Sequence, residues 1–371
     1  MHCWELDNWP DFYFSRPPLD GLLQEVQAKL IAFVRQTDDL PEADRQNYLL
    51  EVLIEEAKST SSIEGEFMSR EDIRSSILNH WRIGQAKLNV KDKRAVRVGK
   101  LVGVVAADFQ LPINEAILKY WHTILFAGDD TLRSIGNYRL GPEPMQIVSG
   151  SLTNPIIHYE APPANQLENE MARFVRSLEK SYSEGRLISG ILGSGVAHLY
   201  FESIHPFEDG NGRIGRALID HMLSHTLGMP VPFSLSQALQ QRQKEYYAAL
   251  GSAREELDAT DWMVFYLEAL SEAITFAKGQ VKFVLRKAVV FDKFDKVISE
   301  NQRKVLKKLF DAGPDGFDGG LSAKNYMRIT RTSRATTTRE LTKLTELGVL
   351  NRIGAGRATR YELRLEGLNS Q

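Results

Sequence analysis

The stretch that decides the fold and the chemistry of this chain runs from His205 to Arg216 and reads HPFEDGNGRIGR. It combines an imidazole, two carboxylates, three glycines, an asparagine and two arginines. Such a set suits a triphosphate, because the backbone N–H groups of Gly210, Asn211 and Gly212 can converge on phosphate oxygens where glycine permits the required dihedral angles. The residues that follow have helical periodicity, so we expect the anion at a helix N-terminus.

The side chains of the same stretch supply the remaining chemistry. Arg213 and Arg216 lie on adjoining faces of the first helical turn and offer forked donors to phosphate. Asp209 can hold Mg²⁺, which usually keeps several water ligands and uses only one or two carboxylates. His205 is the natural base for removing a proton from an attacking hydroxyl group. A Walker A loop is excluded, because no Gly-Lys-Ser/Thr follows the glycines.

The run matches the H-P-F-x-[D/E]-G-N-G-R-x-x-R signature of the Fic family, whose members transfer AMP from ATP to protein hydroxyl groups. The chain therefore resembles a Fic protein adenylyltransferase. The resemblance implies a mainly α-helical fold, in which a Fic core carries a β-hairpin flap. It implies ATP as the substrate, Mg²⁺ on Asp209 and His205 as the catalytic base. Within the signature, the nucleotide contacts that it implies are Asp209, Gly210, Asn211, Gly212, Arg213, Gly215 and Arg216.

Length and composition fit an intracellular enzyme with attached modules. With 371 residues, the chain is long enough for two or three domains at about 150 residues each. The net charge of −2 predicts no bulk attraction to nucleic acid or to an anionic membrane. Cys3 is the only cysteine, which excludes intrachain disulfides and cysteine-based metal clusters. We expect no signal peptide and no apolar stretch long enough to cross a bilayer, so the cytoplasm is the expected location.

Hydrophobic periodicity divides the chain into three predicted domains. Residues 1–91 are predicted to form an N-terminal helical module, similar to the short module often found ahead of bacterial Fic domains. Residues 92–290 are the predicted Fic catalytic domain, in which the stretch from Gly136 to Glu160 reads as an irregular hairpin. Residues 298–371 are predicted to form a winged helix-turn-helix of mixed α and β structure, with three helices followed by two strands.

A second motif, TSSIEG at residues 60–65, ends a predicted N-terminal helix. Taken alone, it reads as a helix C-terminus with Gly65 as the left-handed cap. Beside the longer motif, it resembles the [S/T]-x-x-x-E-[G/N] inhibitory motif of Fic proteins that carry the inhibitor on an N-terminal helix. The resemblance implies that Glu64 pairs with Arg216, occupies the donors for the γ-phosphate and places negative charge beside ATP. The resting enzyme is then expected to be largely inactive.

Flanking segments resemble further parts of Fic active sites. The stretches at residues 136–139 and 156–163 resemble the flap hairpin, on which a target protein docks by strand addition and presents its hydroxyl group. The resemblance places His158 and Tyr159 among the nucleotide contacts. It also assigns Tyr246 and Tyr247 to the paired tyrosines near the adenine pocket, one for the base and the other for packing. Arg254 stands where some relatives have an asparagine that contacts the edge of the adenine.

Basic residues are frequent between Lys324 and Arg364 in the last predicted domain, and only Glu340, Glu346 and Glu362 oppose them in that stretch. They are Lys324, Arg328, Arg331, Arg334, Arg339, Lys343, Arg352, Arg357, Arg360 and Arg364. This local excess predicts contact with DNA, with residues 336–339 at the major groove and Arg357 and Arg360 near phosphates. Protein contact or dimerisation through the same module, including a homodimer, stays an alternative.

Two other functions remain open at this point. One is the reverse reaction, in which the enzyme removes AMP from a modified protein and Glu64 positions a water molecule. The other is a regulator that acts on DNA and only senses nucleotide through the Fic core. The presence of both His205 and Asp209 argues against a pure sensor, because a sensor has no use for a base.

Overall fold

The computed structural model describes residues 2–81, 88–151, 154–183, 187–313, 316–317 and 319–364, with side chains except at residues 147–158, 180–183 and 357. The described residues form fourteen α-helices and two antiparallel sheets of two strands each. The expectation of a mainly α-helical fold is confirmed.

By their internal contacts, the residues divide into two units. The first comprises Met1–Asp39 and Leu49–Ala277, and the second comprises Leu40–Tyr48 and Lys278–Gln371. The predicted domains 1–91 and 92–290 both lie mostly in the first unit. The boundary between them, and the predicted start of the last domain at residue 298, stay predictions.

Helices make up most of the first unit. In chain order they are α1 (Pro17–Asp38), α2 (Glu42–Ile63), α3 (Arg70–His80), α4 (Lys93–Ala107), α5 (Glu115–Phe126), α6 (Leu167–Ser183), α7 (Leu187–Ile204), α8 (Asn211–Leu227), α9 (Leu235–Gln241), α10 (Gln243–Ala253) and α11 (Thr260–Phe294). The start of α2 and the end of α11 belong to the second unit. Ser69, Asp92 and Asn114 cap helix N-termini by accepting backbone hydrogen bonds, which satisfies donors that the first turn leaves unpaired.

The apolar core beneath the His205–Arg216 motif is built from α5, α6, α7 and α8. Trp121 and Ile124 of α5 and Phe201 of α7 belong to one buried cluster with Phe207, which follows α7. Phe207 is fully buried. Burying a side chain of this size contributes roughly 1.5–3 kcal/mol, so the loop after α7 is anchored to the core.

Helix α7 corrects one expectation. Its residues Leu187–Ile204 are long and apolar enough to cross a membrane, whereas the sequence analysis predicts no such stretch. The fold buries 67% of this window. Gly195 lets α11 approach so closely that an added Cβ would clash with the ring of Tyr266. A helix that is apolar all round and buried in this way is typical of a protein core.

Strands β1 (Gln146–Ser151) and β2 (Asn154–Glu160) form an antiparallel hairpin in the first unit. The segment before α1, residues 2–16, is called the N-terminal arm. It holds the base of the hairpin, since Trp4 Nε1 donates to the carbonyl of Glu160 at 2.7 Å. Further along the arm, Trp9 packs edge-on against Tyr200 of α7 with ring centroids 5.0 Å apart. The arm therefore connects the hairpin to the core helix that leads into the motif.

The second unit ends in a small mixed domain. Its elements are α12 (Glu300–Asp311), α13 (Ala323–Thr330), α14 (Arg334–Glu346), β3 (Leu350–Ile353) and β4 (Arg360–Leu363). Strands β3 and β4 pair antiparallel, and Leu321 also pairs with Tyr361 of β4. Leu306, Phe310 and Leu344 are among the buried residues that the three helices contribute.

Candidate active site

A rigid loop joins α7 to α8. Both ends of this loop have left-handed backbone, with φ of 50° at His205 and 81° at Gly210. The amide of Asn211 closes the loop, because it accepts from the N–H of Phe207 at 2.9 Å and donates to the carbonyl of the same residue at 2.8 Å. The ring of Phe207 stacks on His122 of α5 at a centroid distance of 4.4 Å. A non-glycine residue in this backbone region costs about 1–3 kcal/mol, so the surrounding contacts must hold His205 in place.

The N-terminus of α8 faces the end of α2. The first turn of a helix leaves backbone N–H groups without intrahelical partners, and its dipole favours negative charge. Gly212 in this turn leaves room for the carboxylate of Glu64, because an added Cβ at Gly212 would clash with Glu64 Oε1. The carboxylate therefore stands where a helix N-terminus binds an anion.

Arg216 holds the same carboxylate. Its Nη2 lies 2.7 Å from Glu64 Oε1, and its guanidinium also donates to the hydroxyl and the carbonyl of Thr60 at 2.8 and 2.9 Å. The side chain of Arg216 is 2% exposed and that of Glu64 is 31% exposed. Burial, the largest single effect, lowers the pKa of Arg216, but the charge and the hydrogen bond of Glu64 together with the nearby Tyr246 and Glu202 raise that pKa on balance. Arg216 is thus a buried cation whose donors point to residues at the end of α2.

Arg213 is held by a second carboxylate from the segment after α2. Its Nη1 donates to Glu66 Oε2 at 3.0 Å, and its Nη2 lies 3.6 Å from Asp209 Oδ1. The guanidinium carbon lies 5.2 Å from the ring centroid of Phe126, which is a cation–π arrangement. Gly65, with φ of 77°, supplies the left-handed turn between the two glutamates. Both arginines of the motif are therefore paired with this short segment.

His205 is in its neutral form at pH 7. Burial, and after it the positive charge of Arg254, lowers the pKa of His205 to about 3. The Nδ1 atom lies 3.7 Å from Oε2 of Glu202, one helical turn earlier on α7. Arg254 Nη2 in turn lies 3.1 Å from Glu202 Oε2 and 3.0 Å from the Glu202 carbonyl oxygen. A cation, a carboxylate and an imidazole are thus aligned at the end of α7.

Asp209 is the carboxylate of the loop that faces solvent. Its side chain is 59% exposed, whereas Glu208 accepts a hydrogen bond from the backbone N–H of Arg133 at 3.0 Å. Asp209, Arg213 and Glu66 contribute to the wall of a cleft of about 120 Å³. In the part of the chain that the structure describes, no group of three or more His, Cys, Asp or Glu side chains could hold a metal ion. A single exposed carboxylate beside a phosphate site still fits Mg²⁺, which takes its other ligands from water and phosphate oxygens.

Of the two neighbouring tyrosines on α10, one is buried and one is open. Tyr246 is 1% exposed, and its hydroxyl lies 2.8 Å from Nε2 of the buried His198. Tyr247 is 46% exposed and donates from its hydroxyl to the carbonyl of Ile63, the last residue of α2, at 3.0 Å. The structure thus gives the packing role to Tyr246 and leaves the ring of Tyr247 accessible.

Tyr159 of β2 is buried against the end of α7. It is 1% exposed, its hydroxyl donates to the carbonyl of Ser203 at 2.7 Å, and Arg254 lies 5.0 Å from its ring centroid. These contacts use both the ring and the hydroxyl, so Tyr159 anchors β2 to α7 and has no open face for a nucleotide. The contact of Tyr159 with ATP that the sequence analysis expects stays a prediction, which this burial does not support. The side chain of His158, the neighbouring predicted contact, lies outside the described residues.

Gly215 of the motif lies at the contact between α7 and α8. An added Cβ at Gly215 would clash with Glu202 Oε1 and with the imidazole of His198, both on α7. The residue therefore allows α7 and α8 to pack closely, and it does not face the N-terminus of α8.

Three residues near the site were missed in the sequence analysis: Glu66, Glu202 and His198. Glu202 precedes His205 by three positions, a spacing that places two residues on one side of a helix, so the sequence contains a usable signal. Glu66 has no such signal, because its contact with Arg213 depends on how the end of α2 meets α8.

Two regions of the chain match known families. Residues 112–223 match the Fic/DOC family, and they include the whole loop from His205 to Arg216. This stretch of the chain is similar to a Fic/DOC family domain. Members of this family typically transfer AMP or other nucleotide groups onto proteins. Residues 2–83, which include Glu64 and Glu66, match a domain of unknown function (DUF4172).

Solved structures of Fic proteins share the fold. A Fic family protein from Desulfovibrio desulfuricans G20 has 21% identity and a TM-score of 0.57, with 97% of this chain and 100% of that chain covered. A Fic domain containing signaling protein from Bacteroides thetaiotaomicron VPI-5482 has 18% identity and a TM-score of 0.53, with 70% and 97% covered. Residues 134–508 of Fic-1 from C. elegans have 17% identity and a TM-score of 0.52, with 72% and 74% covered. At these identities the likeness concerns the fold.

Proposed function

We propose that the chain is a protein adenylyltransferase that moves AMP from ATP to a Ser, Thr or Tyr hydroxyl group of a target protein. The observation that carries this proposal is the position of neutral His205 at one end of a rigid loop whose other end is the N-terminus of α8. A base and an anion site are thereby fixed relative to each other. Transfer between a hydroxyl and a phosphate requires such a fixed arrangement.

The proposed reaction is a displacement at the α-phosphorus of ATP. The hydroxyl oxygen of the target forms the new bond to phosphorus, and the bond to the oxygen that bridges the α- and β-phosphates breaks. Pyrophosphate leaves with that bonding pair, and His205 accepts the proton of the hydroxyl. The N–H groups of residues 210–212, together with Arg213 and Arg216, hold the phosphate oxygens and stabilise the developing charge.

In the resting state that we propose, the end of α2 blocks this site. The Glu64 carboxylate takes the place of a phosphate group of ATP at Arg216 and at the N-terminus of α8. Glu66 similarly holds Arg213, the other arginine that the phosphates need. ATP then binds without its γ-phosphate in place, so its α-phosphate is misaligned for attack.

The target segment in this proposal adds as a third strand to the hairpin of β1 and β2. In the described residues these two strands pair only with each other, so each has an outer edge with unpaired backbone groups. Strand addition fixes the distance of the target hydroxyl along the edge. Because ATP is the substrate, we place the reaction in the cytoplasm.

A second candidate function is removal of AMP from a modified protein. One observation favours it: Glu64 is a partly exposed carboxylate beside the proposed phosphate site, where a carboxylate can orient an attacking water molecule. Incubation of the purified chain with α-labelled ATP, Mg²⁺ and a cell lysate separates the two. Labelled protein bands support AMP transfer. Absence of label, together with release of AMP from a protein modified beforehand, supports removal.

We further propose that Glu202 and Arg254 position His205. A proton on Nδ1 that points to the Glu202 carboxylate leaves Nε2 of His205 free to act as the base. The same carboxylate stabilises the imidazolium that forms when His205 accepts the hydroxyl proton. Burial raises the pKa of the Glu202 carboxyl, and the positive charge of Arg254 opposes this shift and favours the carboxylate.

Glu202→Gln is expected to lower kcat by about ten- to a hundredfold, because the neutral amide stabilises the imidazolium less. The KM for ATP should change less than kcat, since the Glu202 carboxylate is paired with Arg254 while Arg213 and Arg216 are paired with Glu66 and Glu64. Glu170→Gln is the matched control: Glu170 is also buried and accepts a hydrogen bond from Trp9 Nε1 at 2.8 Å, but it lies outside the site. Steady-state kinetics at varied ATP concentration check the expected changes in kcat and in KM. A Glu202→Gln enzyme with wild-type kcat, or an equal fall in kcat for both variants, would contradict the positioning role.

Asp209 is the residue that would hold Mg²⁺, which when bound neutralises phosphate charge. Asp209→Ala is therefore expected to lose AMP transfer, as is the wild-type enzyme in excess chelator. Glu208→Ala is the matched control, because Glu208 is the adjacent carboxylate and its side chain is engaged with the backbone of Arg133. Labelling assays across a Mg²⁺ titration check the assignment. If Glu208→Ala is the inactive variant and Asp209→Ala keeps its activity, the ligand assignment is wrong.

A further inference from the structure

The second unit carries a basic surface that AMP transfer does not use. Its last elements follow the order helix, helix, helix, hairpin, and Leu321 adds a short pairing to β4. The turn of residues 331–333 joins α13 to α14. Two helices joined by such a short turn, followed by a hairpin, have the order of a helix-turn-helix with a wing.

Hydroxyl groups lock the turn between α13 and α14. The Oγ1 atom of Thr332 lies 2.8 Å from that of Thr330 and 3.1 Å from that of Thr337, which is fully buried. Ser333 caps α14 by accepting a hydrogen bond from the N–H of Thr336 at 3.2 Å. Arg331 has left-handed backbone with φ of 57°, a conformation that is strained for an arginine. The orientation of α14 relative to α13 is therefore fixed, and an arginine occupies a position that glycine would adopt more easily.

Most of the exposed charged side chains in this region are basic. Among the described side chains of residues 323–364, two acidic residues are exposed, Glu346 and Glu362. Eight basic residues are exposed: Lys324, Arg328, Arg331, Arg334, Arg339, Lys343, Arg352 and Arg364. The chain as a whole has a net charge of −2, so the positive charge is a property of this region and not of the molecule.

The remaining acid of α14 is turned inward. Glu340 accepts hydrogen bonds from the hydroxyl of Ser299 at 2.6 Å and from that of Tyr326 at 2.9 Å. Its negative charge is therefore satisfied inside the domain. The exposed side of α14 is left with Arg334, Ala335, Thr338, Arg339, Thr342, Lys343 and Glu346.

We propose that double-stranded DNA binds to this surface, with α14 in the major groove and the basic residues of α13 and β3 at the phosphates. The major groove of B-DNA is wide enough for one helix, and Arg, Lys and Thr are side chains that contact base edges and phosphates there. The capped N-terminus of α14 adds backbone N–H donors of the kind that bind phosphate. The side chain of Arg357, which the sequence analysis also assigns to DNA, lies outside the described residues.

The test uses the full chain and pooled random-sequence duplexes, with binding measured by fluorescence anisotropy between about 50 and 200 mM salt. We expect affinity to fall steeply as salt rises. Arg334→Ala with Arg339→Ala should weaken binding by about tenfold or more, and should reduce the salt slope by about one for each phosphate that the variant no longer neutralises. The matched control is Lys307→Ala with Lys308→Ala, which removes two exposed charges from α12 and should change affinity less than about twofold.

Arg331→Gly guards against loss of structure. Glycine adopts the backbone conformation of Arg331 without strain, so any loss of DNA affinity in this variant comes from the missing side chain. Equal loss of affinity in the α12 control would show diffuse attraction and overturn the assignment to α14. No binding, or binding that salt leaves unchanged, would overturn the DNA proposal and point to a protein partner on the same surface. AMP transfer should be unchanged in all these variants, so the outcome is independent of the proposed enzyme activity.

Discussion

Glu64→Gly is expected to raise AMP transfer and self-labelling by about ten- to a hundredfold. The variant frees the Nη2 donor of Arg216 and removes a negative charge from the N-terminus of α8, where phosphate must bind. A hydrogen bond between charged groups contributes about 1.5–3 kcal/mol. This free energy corresponds to roughly a tenfold to hundredfold change in the population of the productive state. Labelling with α-labelled ATP, followed over time for the wild type and the variant, checks the prediction.

Three further variants distinguish release of the inhibitory contact from general disruption of the site. Arg216→Ala breaks the same pair but also removes a phosphate contact, so it should stay inactive. The double change of Glu64 and Arg216 should be as inactive as Arg216→Ala alone. Glu66→Gly should activate less than Glu64→Gly, because Arg213 keeps its contacts with Asp209 and Phe126. If Glu64→Gly leaves labelling flat and abolishes release of AMP from a modified protein, the reverse reaction becomes the better assignment.

His205→Ala is expected to lower AMP transfer by about 10² to 10⁴-fold, the usual contribution of a general base. ATP affinity should stay within a few-fold of the wild type, because the imidazole lies at the opposite end of the loop from the first turn of α8. Single-turnover labelling and nucleotide binding, measured on the same preparation, check both parts.

The left-handed backbone at His205 makes the choice of control important. Alanine is strained at a φ of 50°, and part of its effect could come from a distorted loop. Asparagine tolerates this backbone region, so His205→Asn removes the base and keeps the loop. Both variants should be equally inactive. Normal activity in His205→Asn would remove the imidazole from the chemistry, and a large fall in ATP affinity in both would assign His205 to binding.

The sequence was most informative where contacts are local. The loop from His205 to Gly210 is closed by Asn211, four residues from its partner Phe207, so one contiguous motif contains both sides of the arrangement. Capped helix starts such as Ser333 are local in the same sense and are predictable from residue type. The helices and hairpin at the end of the chain follow from periodicity and turn residues for the same reason.

The sequence was least informative where a residue faces away from the place that the motif suggests. Gly215 lies within the signature, but on a helix it faces α7, and only the packing of α7 against α8 shows this. Tyr159 lies on a strand, where a shift of one residue decides whether a side chain lies on the open face or in the core. A register shift follows Ile147 in its partner strand, and no residue type in the sequence indicates it. The membrane-like composition of α7 has the same origin, because a helix surrounded on all sides by protein needs no polar face.

The hydrogen bond from Tyr247 to the carbonyl of Ile63 has a thermodynamic consequence. The accessible ring of Tyr247 belongs to the pair that we assign to adenine, while its hydroxyl holds the last peptide group of the helix that ends beside Glu64. If adenine binding draws the Tyr247 hydroxyl away from Ile63, the attachment of α2 is weakened. The free energy needed to withdraw the Glu64 carboxylate from Arg216 is thereby lowered. Linkage is reciprocal, so whatever clamps α2 more firmly must lower nucleotide affinity by the same factor. ATP would then act as an effector of its own binding site before it acts as a substrate, and the apparent affinity for ATP, which includes the free energy of withdrawing α2, would report how strongly this one hydroxyl couples the two.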